Sequence, residues 1–244
     1  MTTLFISDLH LEDDRPETSR WLLNFLGGPA TDAGDLYILG DLFEAWIGDD
    51  AISATARQAA VALRELASGG TRCHFMHGNR DFLLGERYAS QAGLTLLPET
   101  KVIDLYGTPT LILHGDTLCT DDIEYQAFRQ QSRNPAWQAS VLSLSIEERL
   151  QLARNARDAS KAHTGSTAMS IMDVNEAAVI RTFREHGVYR MIHGHTHRPA
   201  FHQHRLDGGE IRERIVLSDW YTEGSYLEVG PERIRSIKLD AGRP

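Results

Sequence analysis

The sequence predicts an α/β protein, on three observations. Short apolar runs recur, each ending in a polar cluster: "TLFISDLH", "DLYILGDLF", "RCHFMHGNRD", "TLILHGDT" and "YRMIHGHTH". Runs of four or five apolar residues read as buried strands. Helical patterns lie between several of them, and strand–helix alternation indicates α/β architecture. The last fifty residues then change character, to short strands separated by turns.

Taken in order, "TLFISDLH" and "DLYILGDLF" open the chain as strands. "ATARQAAVALRELASGG" is Ala-rich and stops at Gly69-Gly70, a helix end. "RCHFMHGNRD" and "TLILHGDT" are the next strands. "DVNEAAVIRTFREHG" predicts a helix with Asp173 as N-cap, Glu176 at N3 and Gly187 as the stop. "YRMIHGHTH" follows as a strand. "RPAFHQHRL", "EIRERIVLSDW", "GSYLEVG" and "RIRSIKL" then predict antiparallel strands with turns at Gly208-Gly209 and Gly230-Pro231. With no internal repeat, low-complexity tract or long linker, the reading is one catalytic domain over 1–244, carrying an insertion at about 118–170.

The bulk numbers narrow the class. At 244 residues, 41% apolar and 24% charged, the chain has the composition of a globular protein with a substantial core. No run of 18 apolar residues is present. The start, "MTTLFISDLHLEDD", has no basic n-region, so a cytoplasmic location is expected. A formal charge of −9 argues against non-specific nucleic-acid binding, and no protein partner is implied. Residues 124–163 are the exception, with six basic residues against four acidic ones. Cys73 and Cys119 sit in or beside apolar runs without ligand spacing and read as buried reduced thiols.

In an open α/β sheet, ligands bind at the carboxyl ends of the strands, which is where the polar clusters fall. They offer Asp8 and His10, Asp41, Asn79, His114, and His195 and His197. Alternation along an extended chain would put Asp8 with His10 on one side, and likewise His193, His195 and His197. Seven candidates are too many for one cation and suit two, with a bridging carboxylate. Mixed oxygen and imidazole donors without thiolate fit Mn, Fe, Zn or Co, and Mn most comfortably. Two metals about 3.5–4 Å apart clamp an in-line displacement at phosphorus, with a bridging hydroxide as the nucleophile. Any one of these clusters alone could be a turn; five in this order, each behind an apolar run, point to one site. His77 and His193, inside the apolar runs, read as packed or supporting histidines. His74, His163, His186, His202 and His204 read as surface or structural.

The order D-x-H, GD, GN-x-[DE], H, GH-x-H resembles the calcineurin-like metallophosphoesterases. Within them, "LYILGDLFEAWIGDD", "HGNRDFLLG", "LHGDTLCTDD", "SIMDVN" and "HGHTHRPA" resemble the UDP-2,3-diacylglucosamine pyrophosphohydrolase family of the lipid A pathway, from Thr3 to about Ser225. The resemblance implies a four-layered α/β/β/α sandwich with a helical insertion as a cap. It implies two Mn²⁺ ions, one held by Asp8, His10, Asp41 and His197, the other by Asp41, Asn79, His114 and His195. The implied reaction is hydrolysis of UDP-2,3-diacylglucosamine to UMP and 2,3-diacylglucosamine 1-phosphate, with attack at the α-phosphorus. Asn79, Arg80, Asp122, Ser160 and His195 match positions implied in substrate binding. Thr164 and Thr167 stand where the family more often has Asn and Lys, and "LSDWYTEGS" puts Tyr221 where a His is expected. The implied location is peripheral, on the cytoplasmic face of the inner membrane.

Two features bear on the substrate. Many relatives carry a proton-donating His after "GN"; here it is Arg80, whose guanidinium does not give up a proton near neutral pH. It can hold a phosphoryl oxygen as charge develops. That favours a leaving group needing little protonation, such as a sugar phosphate with a second pKa of about 6. In the insertion, Arg154, Arg157 and Lys161 share one helix face, and Phe128, Trp137, Val141, Leu142, Leu144, Ile146 and Leu150 add apolar surface. A basic and apolar cap suits a diacylated diphosphate and transient membrane-surface contact; it also suits a helical hairpin packing on the core. The alternatives are a broader dinuclear-metal phosphodiesterase or nucleotide pyrophosphatase, and a metal-binding scaffold without catalysis. Loss of a ligand would support the latter, and no candidate ligand is missing.

Overall fold

The computed structural model describes residues 1–166 and 173–239, with the side chains of all of these except 160–166. Two sheets carry the fold. The first is built on β1 (Thr2–Ile6), β2 (Ala33–Leu39), β3 (Arg72–Met76) and β4 (Leu94–Leu96), all parallel, with β10 (Ser225–Val229) and β11 (Ile234–Lys238) added antiparallel beside β1. The second has the order β5 (Thr100–Leu105), β6 (Thr108–Leu113), β7 (Arg190–His193), β9 (Ile211–Val216), β8 (Ala200–Arg205), parallel at β6–β7–β9 and antiparallel at both edges.

Period-two alternation sorts the first sheet's apolar residues between two cores. Leu4, Ile6, Leu36, Ile38 and Phe75 face the helices α1 (Pro16–Leu26), α2 (Ala54–Ser68) and α3 (Glu86–Ala92), meeting Leu22, Phe25, Leu63 and Tyr88. Phe5, Tyr37, Leu39 and Met76 point the other way and pack with Leu111, Leu113, Met191 and Ile215 of the second sheet. Helix α7 (Glu176–His186) adds Val179 and Phe183 to that second core, with the Phe183 ring 6.0 Å from His204 of β8. The result is two sheets flanked by helices. Strands buried on both faces carry unbroken apolar runs, which is why these five were legible.

The predicted stops hold. Helix α2 starts at Ser53, whose side chain accepts from the Ala56 N–H, and ends at Gly69. Helix α7 ends at Gly187 in the left-handed conformation. Its N-cap, however, is Asn175, accepting from the Ala178 N–H, with Glu176 as the first helical residue. Asp173 is instead engaged by the Val174 N–H and by Arg198. Both are Asx residues able to cap, and the ion pair takes Asp173 away from the role. Cys73 and Cys119 are buried free thiols, and burial pushes both up to about 12.

Within 118–170 the described residues form the helices α4 (Ile123–Ser132), α5 (Pro135–Leu142) and α6 (Ile146–Ser166), joined by short turns. Val141 and Trp137 pack on the first core, while Leu142, Ile146, Leu150 and Leu152 are exposed. The cationic surplus of this segment turns inward. Arg129 and Arg133 pair with Glu99 and Asp116, Arg149 with Asp50, and Arg157 with Glu12 and Glu44. Among the described residues no helix is long and apolar enough to cross a membrane.

Candidate metal centre

Parallel strands share a polarity, so β1, β2, β3, β6 and β7 deliver the residues after their carboxyl ends to one side of the molecule. The seven predicted ligands meet there. The Nε2 atoms of His10 and His197 are 3.4 Å apart, and His197 Nε2 is 3.4 Å from Asp8 Oδ1. Asn79 Oδ1 lies 3.0 Å from His114 Nε2 and 2.9 Å from His195 Nδ1. Between these groups, Asp41 Oδ2 is 3.9 Å from His10 Nε2 and 3.8 Å from His114 Nε2.

Extended-chain alternation is not what assembles them. Six non-glycine residues among those described have positive φ, and five are candidate ligands: Asp8 (55°), His10 (51°), Asp41 (51°), His195 (67°) and His197 (53°). A left-handed conformation costs an L-residue roughly 1–2 kcal/mol, so five in one place mark backbone held under strain for a purpose. The prediction that His193 joins His195 and His197 on one side therefore fails. Strand β7 ends at His193, whose ring is fully buried between the Gly194 carbonyl and Arg214. Burial and the Arg214 charge push His193 down to about 3, which suits a neutral packed imidazole.

Three of the candidate ligands have one polar atom occupied by the protein, which leaves the other for the site. His114 Nδ1 donates to the Leu39 carbonyl at 2.8 Å. Asp41 Oδ1 accepts from the Arg80 N–H at 2.8 Å. Asp8 Oδ2 accepts from Ser7 Oγ at 2.6 Å and from the His195 N–H at 2.9 Å. Two glycines are required by this crowding: a Cβ on Gly78 would collide with the Asp41 carboxylate, and one on Gly194 with Asp8 and Ser7.

The donors fit divalent cations. Asp8 Oδ1 is fully buried with His197 Nε2 3.4 Å away and no well-aligned hydrogen bond, so it is available to a cation. Single donor atoms of Asp8, His10 and His197 lie within 4.8 Å of one another, as do those of Asp8, Asp41 and His114. With bonds of about 2.0–2.2 Å to oxygen and nitrogen, neighbouring donors on one cation stand about 3 Å apart or more, the spacing found here. Burial alone would raise Asp8, but the approach of His197 and the charges of His197, His114 and His10 hold it well below the usual carboxylate range. Burial alone would lower His114, but Asp41, Asp8 and Asp116 raise it. His197 follows the same pattern through Asp8. The carboxylates thus draw positive charge onto the imidazoles, a demand that a cation meets directly. Burial and His114 push His195 down to about 4, so it is neutral, as a ligand must be.

Arg80 stands beside this set. Its backbone binds Asp41, and its Nε is buried without a partner. Asp122 is 7% exposed and caps α4, its Oδ1 accepting from the Tyr125 N–H at 3.0 Å. Ser160 and Thr164 lie on α6, where the side chains fall outside the described residues, as does Thr167 altogether.

Several supporting residues were not foreseen. Fully buried Asp81 accepts from the N–H groups of Leu42 (2.7 Å) and Gly78 (2.8 Å), and at 3.4 Å from those of Asp41 and Phe43, tying the two ligand loops together. Burial and the Asp41 carboxylate push it up to about 7. The acid closing "GNRD" was the available signal. Asp116 in "LHGDT" accepts from Tyr125 Oη and Arg129 Nε, both at 2.8 Å, and the Tyr125 ring is 5.6 Å from that of His195. Tyr221 stacks on His10 at 5.0 Å and 7°, with the Arg15 guanidinium 4.8 Å from its centroid. An aromatic ring thus occupies the place where the family pattern has His.

Asp81→Ala tests the tie between the loops. It leaves two well-bonded buried N–H groups without acceptors, each worth about 1–3 kcal/mol. A loss of about 3 kcal/mol is expected. In a chain of this size that lowers Tm by roughly 6–12 °C in a calorimetric scan, and an unchanged Tm contradicts it.

The Calcineurin-like phosphoesterase family model matches residues 1–199. The UDP-2,3-diacylglucosamine hydrolase of Edwardsiella ictaluri is 49% identical over 241 residues, covering 99% of this chain and 93% of that protein. The protein of the same name from Stenotrophomonas maltophilia is 54% identical over 236 residues, covering 94% and 95%, and that of Salmonella typhi is 49% identical over 237 residues, covering 97% and 98%. With that family model spanning most of its length and near-full-length likeness to these enzymes, the chain belongs to the calcineurin-like phosphoesterase family.

Proposed function

We propose that this chain hydrolyses the pyrophosphate bond of UDP-2,3-diacylglucosamine, giving UMP and 2,3-diacylglucosamine 1-phosphate. The substrate reading is carried by the 49–54% identity, over nearly the whole chain, to relatives named for that hydrolysis. Two Mn²⁺ ions are the proposed cofactors; Asp8, His10, Asp41 and His197 would hold one, and Asp41, Asn79, His114 and His195 the other. When bound, the cations polarise the attacked phosphoryl group and draw a nucleophile from water at neutral pH.

The chain's own residues do the rest. Arg80 binds an oxygen of the attacked phosphoryl group through its guanidinium, whose buried Nε has no internal partner. It donates hydrogen bonds and keeps its proton, so the group that departs is one stable as an anion, the acylated sugar 1-phosphate. Neutral His195 and the Asn79 carbonyl hold the reacting end. Asp122, Ser160, Thr164 and Thr167 are the further substrate contacts that the family resemblance implies, and helices α4, α5 and α6 are the cap for the acyl chains. The same cap gives peripheral contact with the cytoplasmic face of the inner membrane.

Two assays test this. Metal-stripped protein reloaded with Mn²⁺ should turn over UDP-2,3-diacylglucosamine far better than bis(p-nitrophenyl) phosphate; the reverse order favours a broad phosphodiesterase. Replacing exposed Leu142, Ile146 and Leu150 with Ser should raise KM for the diacylated substrate on the order of tenfold or more. Hydrolysis of a short soluble diphosphate should barely change. An equal loss on both would make the insertion purely structural.

A further inference from the structure

The backbone places one carboxylate under the metal centre that the ligand set does not use. After β2, the chain from Asp41 runs alongside the loop after β1. The His10 N–H donates to the Asp41 carbonyl, the Leu11 N–H to the Leu42 carbonyl and the Glu44 N–H back to the Leu11 carbonyl, at 3.0–3.1 Å. This short ladder fixes Glu44 beneath His10. Its side chain is 8% exposed. Glu44 Oε2 lies 3.0 Å from His10 Nδ1, on the side of the ring away from His197 and Asp41. Its other oxygen, Oε1, lies 3.1 Å from Nε of Arg157 on α6. Arg157 also reaches Glu12 of the β1 loop, at 3.3 Å.

We infer that Glu44 is a positioning residue that joins the metal centre to the helical insertion, holding His10 with one oxygen and Arg157 with the other. A histidine ligand is oriented by whatever accepts from its distal ring nitrogen, and loss of such a partner costs about 10–100-fold in metal affinity. Here the partner is itself fixed by a charge from α6, so the placement of the insertion and the readiness of His10 to bind a cation are linked. The linkage is reciprocal: a cation on His10 favours the α6 position that gives Glu44 its second contact, and the docked helix favours the cation. The inference rests on the reading of His10 as a ligand.

Mn²⁺ binding to the whole metal-stripped protein, measured by titration calorimetry, tests it. Glu44→Ala should weaken Mn²⁺ binding about 10–100-fold. Glu44→Gln keeps an oxygen for the His10 N–H but loses the charge for Arg157. It should therefore resemble Arg157→Ala, with about a two- to fivefold loss, the range of a part-exposed ion pair. Combining Arg157→Ala with Glu44→Ala should cost no more than Glu44→Ala alone, because the Arg157 effect passes through Glu44. Should Glu44→Ala fail to fold, the Glu44→Gln and Arg157→Ala cycle gives the same answer: non-multiplying losses support the linkage. Parent-like Mn²⁺ affinity in the Glu44 variants, or losses that multiply, overturns it. His10→Ala separates the two readings. If it binds Mn²⁺ as the parent does, the ligand set itself is wrong; if it loses Mn²⁺ while Glu44→Ala does not, only the linkage fails.

Discussion

Asp41→Ala should abolish turnover and leave less bound metal than Asn79→Ala does. The Asp41 carboxylate stands between both histidine groups, with Oδ2 3.9 Å from His10 Nε2 and 3.8 Å from His114 Nε2, while Asn79 approaches only His114 and His195. Removing Asp41 takes a charged donor from both groups. Removing Asn79 takes one neutral donor from one of them. Elemental analysis of both variants after Mn²⁺ loading and gel filtration gives the comparison. Equal metal content in the two variants and the parent would show that Asp41 is not shared.

Arg80→Ala should lower kcat by about 10²–10³ while bound metal stays near the parent level. Loss of one donor aimed at developing charge typically has that size. The Arg80 link to the ligand set is its backbone N–H on Asp41 Oδ1, which Ala retains. What disappears is the guanidinium, with its buried, unpartnered Nε. Arg80→Lys should recover little, because an ammonium cannot reproduce the planar two-donor fork. Normal turnover in Arg80→Ala, with parent-like metal content, would return Arg80 to the role of a loop residue.

The chemistry of the site was legible in the sequence to a greater degree than its geometry. Apolar runs that end in D-x-H, GD, GN, HG and GH-x-H are local signals, and a parallel sheet converts them into one site by aligning the strand ends. What local pattern could not convey is how the side chains converge. Period-two alternation treats Asp8 with His10, and His195 with His197, as neighbours on an extended strand. Both pairs instead lie beyond the strand, on residues with φ of 51–67°. Such turns are stabilised from elsewhere in the chain, as when the Trp220 N–H binds the Asp8 carbonyl at 3.0 Å. The insertion shows the same limit. Its basic surplus reads as a charged surface, yet Arg129, Arg133, Arg149 and Arg157 are bound to acids distant in sequence. The supporting acids Glu44 and Asp116 are single residues whose partners come from other segments, so nothing in their immediate sequence announces them, while Asp81 was signalled only by the acid that closes "GNRD". The N-cap of α7 fell to a competition between two Asx residues that Arg198, 25 positions from Asp173, decides.

Hydrolysis of UDP-2,3-diacylglucosamine in ¹⁸O-labelled water by the Mn²⁺-loaded protein tests the central claim most directly. A pyrophosphate has two phosphorus atoms, and attack on either gives the same products, so only the label tells them apart. Arg80 and the ligand set must grip the attacked phosphoryl group, with water in line with the departing oxygen. If the acyl chains lie along the insertion as proposed, away from the ligand set, the expected attack is at the uridine-side phosphorus. The account predicts one ¹⁸O in UMP by mass spectrometry and none in the acylated sugar 1-phosphate. Label in the sugar phosphate would reverse the substrate's orientation, and no turnover of this substrate by protein carrying its full metal complement would contradict the proposed function.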